Sequence, residues 1–237
     1  MMIVGVRGRP GRKPLLTREA IVAAALRLLN RDGYDALTIR ALAAELGVKS
    51  ASLYWHFPTK DALVDQLADE LLADLDLTEP PSADWRADLR ERSFLFYRHL
   101  LSKRDAGRLR AGRLLTGPNT LRWMERGLAL FRRAGLDGRD AAFASHALHV
   151  YVQGFVIFAQ APLSARAAEG APDDEALGAA RAVFASLPTA AFPNIVVLAG
   201  PLTEGDTDAR FLYGLDCMID GIAARSAELA PQADRQG

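Results

Sequence analysis

The residues best suited to chemistry lie in one stretch near the start of the chain, Thr38 to Lys60, TIRALAAELGVKSASLYWHFPTK. Lys49, Ser50, Ala51 and Ser52 are small or polar and open a short helical pattern. Serine hydroxyls can bond to any base edge, and the Ala51 methyl suits a thymine methyl. Tyr54, Trp55 and His56 follow within reach of phosphates, and Lys60 adds a cation at the start of the next helix. Thr38 and Arg40 open the preceding helix, where backbone N–H groups and a guanidinium together can hold a phosphate. This is chemistry for duplex DNA: base edges are read by one short helix while its flanks grip the backbone. The competing role for the aromatics is core packing. It suits Phe57 and part of Tyr54, whereas the basic surroundings favour exposure of Trp55 and His56.

Those residues need a scaffold that offers one helix to a groove. Thr17 reads as an N-cap, with Leu16 and Ile21 placed as a hydrophobic staple and Glu19 in the first turn. Ile21, Ala25, Leu28 and Leu29 make an apolar stripe at helical spacing, and Gly33 is its stop. Thr38 caps a second short helix with Ile39, Leu42, Ala43 and Leu46 inward, Gly47 turns the chain, and Leu53 anchors the third helix. Two helices around a glycine turn form a helix-turn-helix. Thr59 caps a fourth helix expected to run to about Asp76, on which Leu63, Leu67, Leu71 and Leu75 recur every fourth residue.

Beyond Glu79-Pro80-Pro81-Ser82 the patterns are helical over roughly Trp85–Ser102, Arg104–Arg113, Thr120–Ala134, Asp140–Gln160, Glu175–Leu187 and Asp206–Ala227. Ala161–Asp174 and Pro188–Thr203 read as loops, including the short β-like run Ile195–Leu198, which has no partner strand. The expected fold is all-α: an N-terminal three-helix helix-turn-helix domain and an α-helical domain for ligand binding and dimerisation. The expected divisions are a disordered basic arm over 1–14, the DNA-binding head over 15–60 and the effector and dimerisation domain over 61–237.

The charge distribution agrees with that division. The chain of 237 residues is neutral overall, with 29 Lys/Arg and 29 Asp/Glu. Residues 1–60 hold ten Lys/Arg against four Asp/Glu, a net +6, and the remainder is −6. A basic front on an acidic body holds phosphate at one end. Cys217 is the only cysteine, which rules out an internal disulfide and suits a reducing cytoplasm. The opening MMIVGVRGRPGRK lacks the order of a signal peptide. The longest stretch without Asp, Glu, Lys or Arg, Ala141–Ala165, carries Ser145, His146, His149, Gln153 and Gln160. A helix buried between subunits fits it better than a membrane span.

The motifs Thr38-Ile39-Arg40-Ala41-Leu42-Ala43, Leu46-Gly47-Val48, Ser52-Leu53-Tyr54-Trp55-His56-Phe57 and Lys60-Asp61-Ala62-Leu63 resemble the TetR family of transcriptional repressors. Trp85-Arg86-Ala87-Asp88-Leu89-Arg90, Leu100-Leu101-Ser102-Lys103-Arg104-Asp105 and Phe211-Leu212-Tyr213-Gly214-Leu215 resemble the effector domain of its tetracycline-repressor type. With gaps, the resemblance covers nearly all of residues 15–225. It implies a homodimer through helices at about 140–160 and 206–227, operator DNA as partner, and a ligand cavity within residues 80–180.

The departures matter as much. Where tetracycline repressors hold a magnesium–drug chelate by a histidine, this chain has Arg110. The threonine–arginine pair after it becomes Arg113-Leu114, a glutamate near the metal becomes Phe158, a drug-gripping asparagine becomes Arg92, and a histidine ending the fourth helix becomes Asp76. The aromatic Phe96 is kept. A chelate site without its histidine and acid does not hold magnesium, so tetracycline–Mg²⁺ is rejected as effector, and no metal or cofactor is expected. The expected ligand residues are Arg92, Phe96, Arg110, Arg113, Leu114, His149, Phe155 and Phe158. Residues 90–133 hold twelve Lys/Arg against three Asp/Glu. Facing inward, such arginines suit a carboxylate or enolate; facing outward, they form a solvated surface.

Three features stay open at this level. His146 and His149, three apart on one helix, fit a metal or pH switch less well than a wall or interface role. Gly154 and Gly214 are read as points of close helix approach. Arg7 and Arg9, in Arg7-Gly8-Arg9-Pro10, suit an arm in an A·T minor groove, with a solubilising tail as the alternative. The expected function is a cytoplasmic, ligand-released DNA-binding repressor. The rivals are a DNA-binding protein without effector and, less favoured, an enzyme, for which no metal cluster, phosphate loop or nucleophile elbow is present in the sequence.

Overall fold

The computed structural model describes residues 16–75, 82–161 and 173–233. Among these residues there are twelve α-helices and no strand, the all-α fold expected. They divide into two compact units between Leu67 and Ala68. The basic arm 1–14, with Arg7 and Arg9, lies outside the described residues, as do Asp76 and most of the expected loop 161–174.

The first unit holds α1 (Arg18–Asp32), α2 (Ile39–Glu45), α3 (Ser50–Tyr54) and most of α4 (Lys60–Glu70). Local chemistry sets its boundaries. The side chains of Thr17, Thr38 and Thr59 each accept the amide three residues on, from Ala20, Ala41 and Ala62, at 3.0–3.1 Å. Gly33 ends α1 at φ 87°, and its amide bonds Leu29 O. Gly47, at φ +63°, ends α2: its amide reaches Ala44 O while the Val48 amide reaches Ala43 O. That pair of bonds needs a left-handed residue between them, which glycine supplies without a Cβ penalty. Ile21, Leu28, Leu29, Leu42, Leu53, Phe57, Leu63 and Leu67 form the core, each at most 3 % exposed.

The second unit contains the rest of α4 and α5 (Trp85–Leu101), α6 (Ala106–Arg110), α7 (Pro118–Arg133), α8 (Gly138–Gln160), α9 (Asp173–Ser186), α10 (Pro193–Val197), α11 (Ala199–Leu202) and α12 (Thr207–Ala233). α8 packs against α5, α6, α7 and α12. Tyr97 and Phe211, fully buried, stack at 4.0 Å between ring centroids, with Tyr151 and Phe155 around them. The Tyr151 hydroxyl donates to Phe211 O at 2.6 Å and fills the space over Gly214, where a Cβ would stand 2.3 Å from it. Gly214 is therefore the close approach expected. Gly154 is exposed, with open space before it within the chain. Length and composition alone would let α8 cross a membrane, at mean hydropathy 1.3. Its exposed apolar stripe is Phe143, Ala147, Val150, Gly154 and Phe158.

Several helical boundaries differ from expectation: α6 is shorter than Arg104–Arg113, α12 runs on past Ala227, and two differences are larger. α4 stops at Glu70, short of Asp76. Carbonyls at and just past its end are taken by side chains: Ala68 O by Arg110 at 2.6 Å, Asp69 O by Asn119 at 3.2 Å and Leu71 O by His99 at 2.6 Å. The following amides reach back only three residues, Leu72 to Asp69 and Ala73 to Glu70, so the chain tightens into turns. Pro188–Thr203, expected as loop, forms α10 and α11. Pro193 sits in the first turn of α10, where a missing N–H costs nothing and its fixed φ suits a helix.

Candidate functional site

In the head, most of the expected DNA-facing residues within the described chain are exposed, while their neighbours hold the core. Lys49, Ala51, Thr38, Arg40 and Lys60 are exposed, and Ser50, Ser52 and His56 are half-buried. Trp55 is 91 % exposed and Tyr54 49 %, whereas Leu53 and Phe57 are each 1 % exposed. The split follows from helical geometry: Leu53 and Phe57 lie four apart on the inward face, and Tyr54 and Trp55 are turned out. An exposed tryptophan on a monomer surface has lost its usual burial gain, and a partner surface restores it. Arg18 holds the end of this segment, with Nη1 donating to His56 O at 2.6 Å and its guanidinium 4.3 Å from the Phe57 ring centroid. Arg31 ties α1 to α2 through Glu45 at 3.1 Å.

The second unit encloses a cavity of about 380 Å³. Its wall comes from α5 (Arg92, Phe96), α6 and the turn after it (Arg110, Arg113, Leu114), α7 (Thr120, Trp123, Phe131) and α8 (Ser145, His146, His149, Val152). Six of the eight expected ligand residues are thus brought together: Arg92, Phe96, Arg110, Arg113, Leu114 and His149. Phe155 and Phe158 are not. Each α8 residue advances about 100°, so Phe155 turns toward Tyr97 and Phe211, and Phe158, 58 % exposed, falls on the outward stripe. The sequence reading missed Trp123, which stacks on Phe96 at 4.5 Å, and Thr120. A tryptophan in the amphipathic α7 was the one available signal for that wall.

Position of the cavity's cations is set from several helices. Asp105, with φ 56°, starts α6. Gln153 donates to Gly107 O at 2.9 Å, and the Gly107 amide donates to Gln160 at 3.0 Å, which fixes α6 on α8. A Cβ at residue 107 would sit 3.0 Å from the Ile157 backbone. This clamp delivers Arg110, only 4 % exposed, to the wall, where Nη1 donates to Ala68 O. Burial pushes its pKa down to about 10, against the raising effect of Asp69, so it stays charged at neutral pH. Asp69, 1 % exposed, caps α7 instead, accepting the Thr120 amide at 2.8 Å and the Asn119 amide at 3.2 Å. Gly117 has no room for a Cβ, which would lie 2.2 Å from the Asp69 carboxyl carbon.

Arg92 lies flat on Trp123, its guanidinium carbon 3.5 Å from the ring centroid, and donates to Trp123 O at 2.5 Å. The His149 pKa is lowered by desolvation first, then by Arg110 and His146. His149 is solvent-accessible and lines the cavity. Arg110 Nε and Thr120 Oγ1, both in wall residues, are buried with no hydrogen-bond partner among the described residues. No group of three or more His, Cys, Asp or Glu able to hold a metal occurs among the described residues.

A helix-turn-helix head with an outward aromatic face, joined by α4 to a helical unit with an organic-sized cavity, defines a class: ligand-responsive DNA-binding proteins. The comparisons give the family. Residues 21–67 match the family model for bacterial regulatory proteins of the tetR family, and residues 77–226 match the tetracyclin repressor-like C-terminal domain. The tetracycline repressor protein class C of Escherichia coli is 37 % identical over 212 residues, covering 87 % of this chain and 90 % of that protein. Apo ActR from Streptomyces coelicolor superposes with a TM-score of 0.80 at 34 % identity, covering 90 % of this chain and 97 % of its own. ActR in complex with actinorhodin also gives 0.80 at 34 % identity, over 89 % of this chain and 97 % of its own. The chain belongs to the TetR family and is a DNA-binding transcriptional regulator. Regulators of this family are generally non-enzymatic, bind operator DNA and small-molecule effectors, and act as dimers.

Proposed function

We propose that this protein is a cytoplasmic homodimeric repressor that holds an operator through its head and lets go when a small organic effector fills the cavity of the second unit. The observation that carries this is the cavity itself, about 380 Å³ and walled by four helices, in a chain whose head presents Trp55 to solvent. Such a volume falls within the roughly 300–1,000 Å³ usual for small-molecule sites. ActR, crystallised with actinorhodin and with (S)-DNPA, supports an organic effector here.

In this reading Thr38, Arg40, Tyr54, Trp55, His56 and Lys60 position the head on phosphates, and Lys49, Ser50, Ala51 and Ser52 face base edges. Arg7 and Arg9 add a minor-groove arm. Residues 15–60 form the reading head, and 61–237 form the effector and dimerisation domain. Two heads one helical turn apart, roughly 34–36 Å, meet a palindromic operator. The outward stripe of α8 and the exposed side of α12, including Tyr213 at 76 % exposure, supply the dimer surface. The effector is not tetracycline–Mg²⁺. Among the described residues the wall has three guanidiniums, two imidazoles and no carboxylate, a set that repels a divalent cation. Release requires tighter effector binding to the DNA-free state than to the DNA-bound one.

A gel shift on DNA upstream of the protein's own gene and its neighbours tests the reading. A retarded complex at low salt is expected, and failure on every such duplex would sink it. A DNA-binding protein without effector predicts a collapsed second unit, which the open cavity argues against.

A further inference from the structure

The cavity is chemically one-sided in a chain that is neutral overall. Among the described residues, Arg92, Arg110, Arg113, His146 and His149 line it, and no Asp or Glu does. Arg110 is the critical case, because it is a buried cation whose described hydrogen bond goes to a neutral carbonyl, Ala68 O. The nearest acid acting on it, Asp69, spends its carboxylate oxygens on the amides of Asn119 and Thr120. A buried charge with incomplete compensation costs free energy, and an anion placed beside it recovers that loss. A cationic ligand would meet guanidiniums only, and a neutral one would leave Arg110 as it is.

The body of the ligand is constrained by the adjoining wall. Phe96 and Trp123 stack at 4.5 Å with 23° between their planes, and Arg92 covers Trp123. A flat ring extends such a stack, whereas a flexible chain gains area there only by losing rotamer freedom. The Arg110 guanidinium carbon stands 5.8 Å from the Phe96 ring centroid. A carboxylate carried on a ring beside Phe96 is therefore in reach of it.

We propose that the effector of this cavity is a flat aromatic anion, an aryl carboxylate or its enolate equivalent, with its ring against Phe96 and Trp123 and its charge toward Arg110. This rests on the cavity being the effector site, and it names the ligand class of that site. Arg113 and Leu114 form the rim over the bound ring.

The test uses the full chain and three probes by calorimetry: naphthalene-2-carboxylate, naphthalene-2-carboxamide and octanoate. The aryl acid is expected to bind about tenfold or more tighter than the amide of the same shape, the ratio of a charge-assisted to a neutral hydrogen bond. It is also expected to bind more tightly than octanoate. In Arg110→Gln the acid-to-amide affinity ratio is expected to fall to about one. If that variant does not fold, the wild-type ratios decide alone, with Arg92→Gln as the second variant. Equal binding of acid and amide, equal binding of octanoate, or no binding of the acid at millimolar concentration overturns the proposal. A gel shift with the same acid separates the two readings. Binding without operator release keeps the site chemistry and overturns the effector role, and a retarded operator complex with no acid binding overturns the ligand class while the DNA-binding reading stands.

Discussion

The head and the cavity unit handle exposure in opposite ways. In the head, residues proposed to act on DNA look outward, and the core behind them is made of different residues, so Leu53 and Trp55 lie two apart with 1 % and 91 % exposure. In the cavity unit, residues proposed to act on the ligand are also wall and core. Arg110 holds the end of α4 while lining the cavity, and Thr120 lines it while its amide is capped by Asp69. The difference teaches where sensitivity to substitution should lie. A reading surface can be altered with little effect on folding, whereas a cavity wall cannot be altered without touching the helix ends it joins.

Substitutions can break this contrast, beginning with the largest effect. Leu53→Ala empties the anchor of the reading helix and should cost about 2–5 kcal/mol of stability. Urea unfolding should show it, and operator binding should vanish with the fold of the head. Asp69→Ala should cost about 2–3 kcal/mol, since it strips the α7 N-terminus of two buried acceptors and Arg110 of its nearest negative charge. A drop in the thermal midpoint of several degrees is expected. An unchanged midpoint would mean that this buried carboxylate does not hold α7.

Trp55→Ala sharpens the comparison from the other side. Stability should stay within about 0.5 kcal/mol of the parent, yet operator affinity should fall about tenfold. The slope of affinity against salt should not change, because an indole neutralises no phosphate. Lys49→Ala should instead lower that slope by about one. If Trp55→Ala destabilises the fold and leaves binding intact, the head does not separate surface from core as described.

The smallest effect is a pH dependence from His149. Its folded pKa lies below the ordinary histidine value of 6.5, so near that pH the unfolded chain binds more protons than the folded one. Its contribution is therefore present above that value and declines as pH falls toward the folded pKa. His149→Asn should flatten the fall in stability below about pH 6.5, measured by urea unfolding at stepped pH. A fall of the same size in the variant would assign it to other groups.

Much of the head was legible in the sequence because its determinants are local. The threonine caps, Gly33, Gly47 and the spacing of Leu53 and Phe57 each act within one or two turns of helix. The second unit was legible in its helix order but less so in its details. The early end of α4 depends on Arg110, Asn119 and His99, which are distant along the chain. The placement of Phe155 against Phe211 and of Phe158 on the outer stripe depends on how α8 rotates between α5 and α12. The helices at Pro193–Val197 and Ala199–Leu202 were hidden by a β-like apolar run between prolines.

By itself the sequence determined an all-α chain with a basic helix-turn-helix head, an acidic body, and Arg110 and Phe158 where a tetracycline–magnesium site would need a histidine and an acid. Only the tertiary structure decided which arginines share a cavity, that Arg110 is buried with a carbonyl partner, and that Trp123 stacks on Phe96. The reason is one of range. Caps, turns and periodicity are set by neighbours in the chain, while burial of a charge and closure of a wall are set by helices from Leu89 to Val152 packing together.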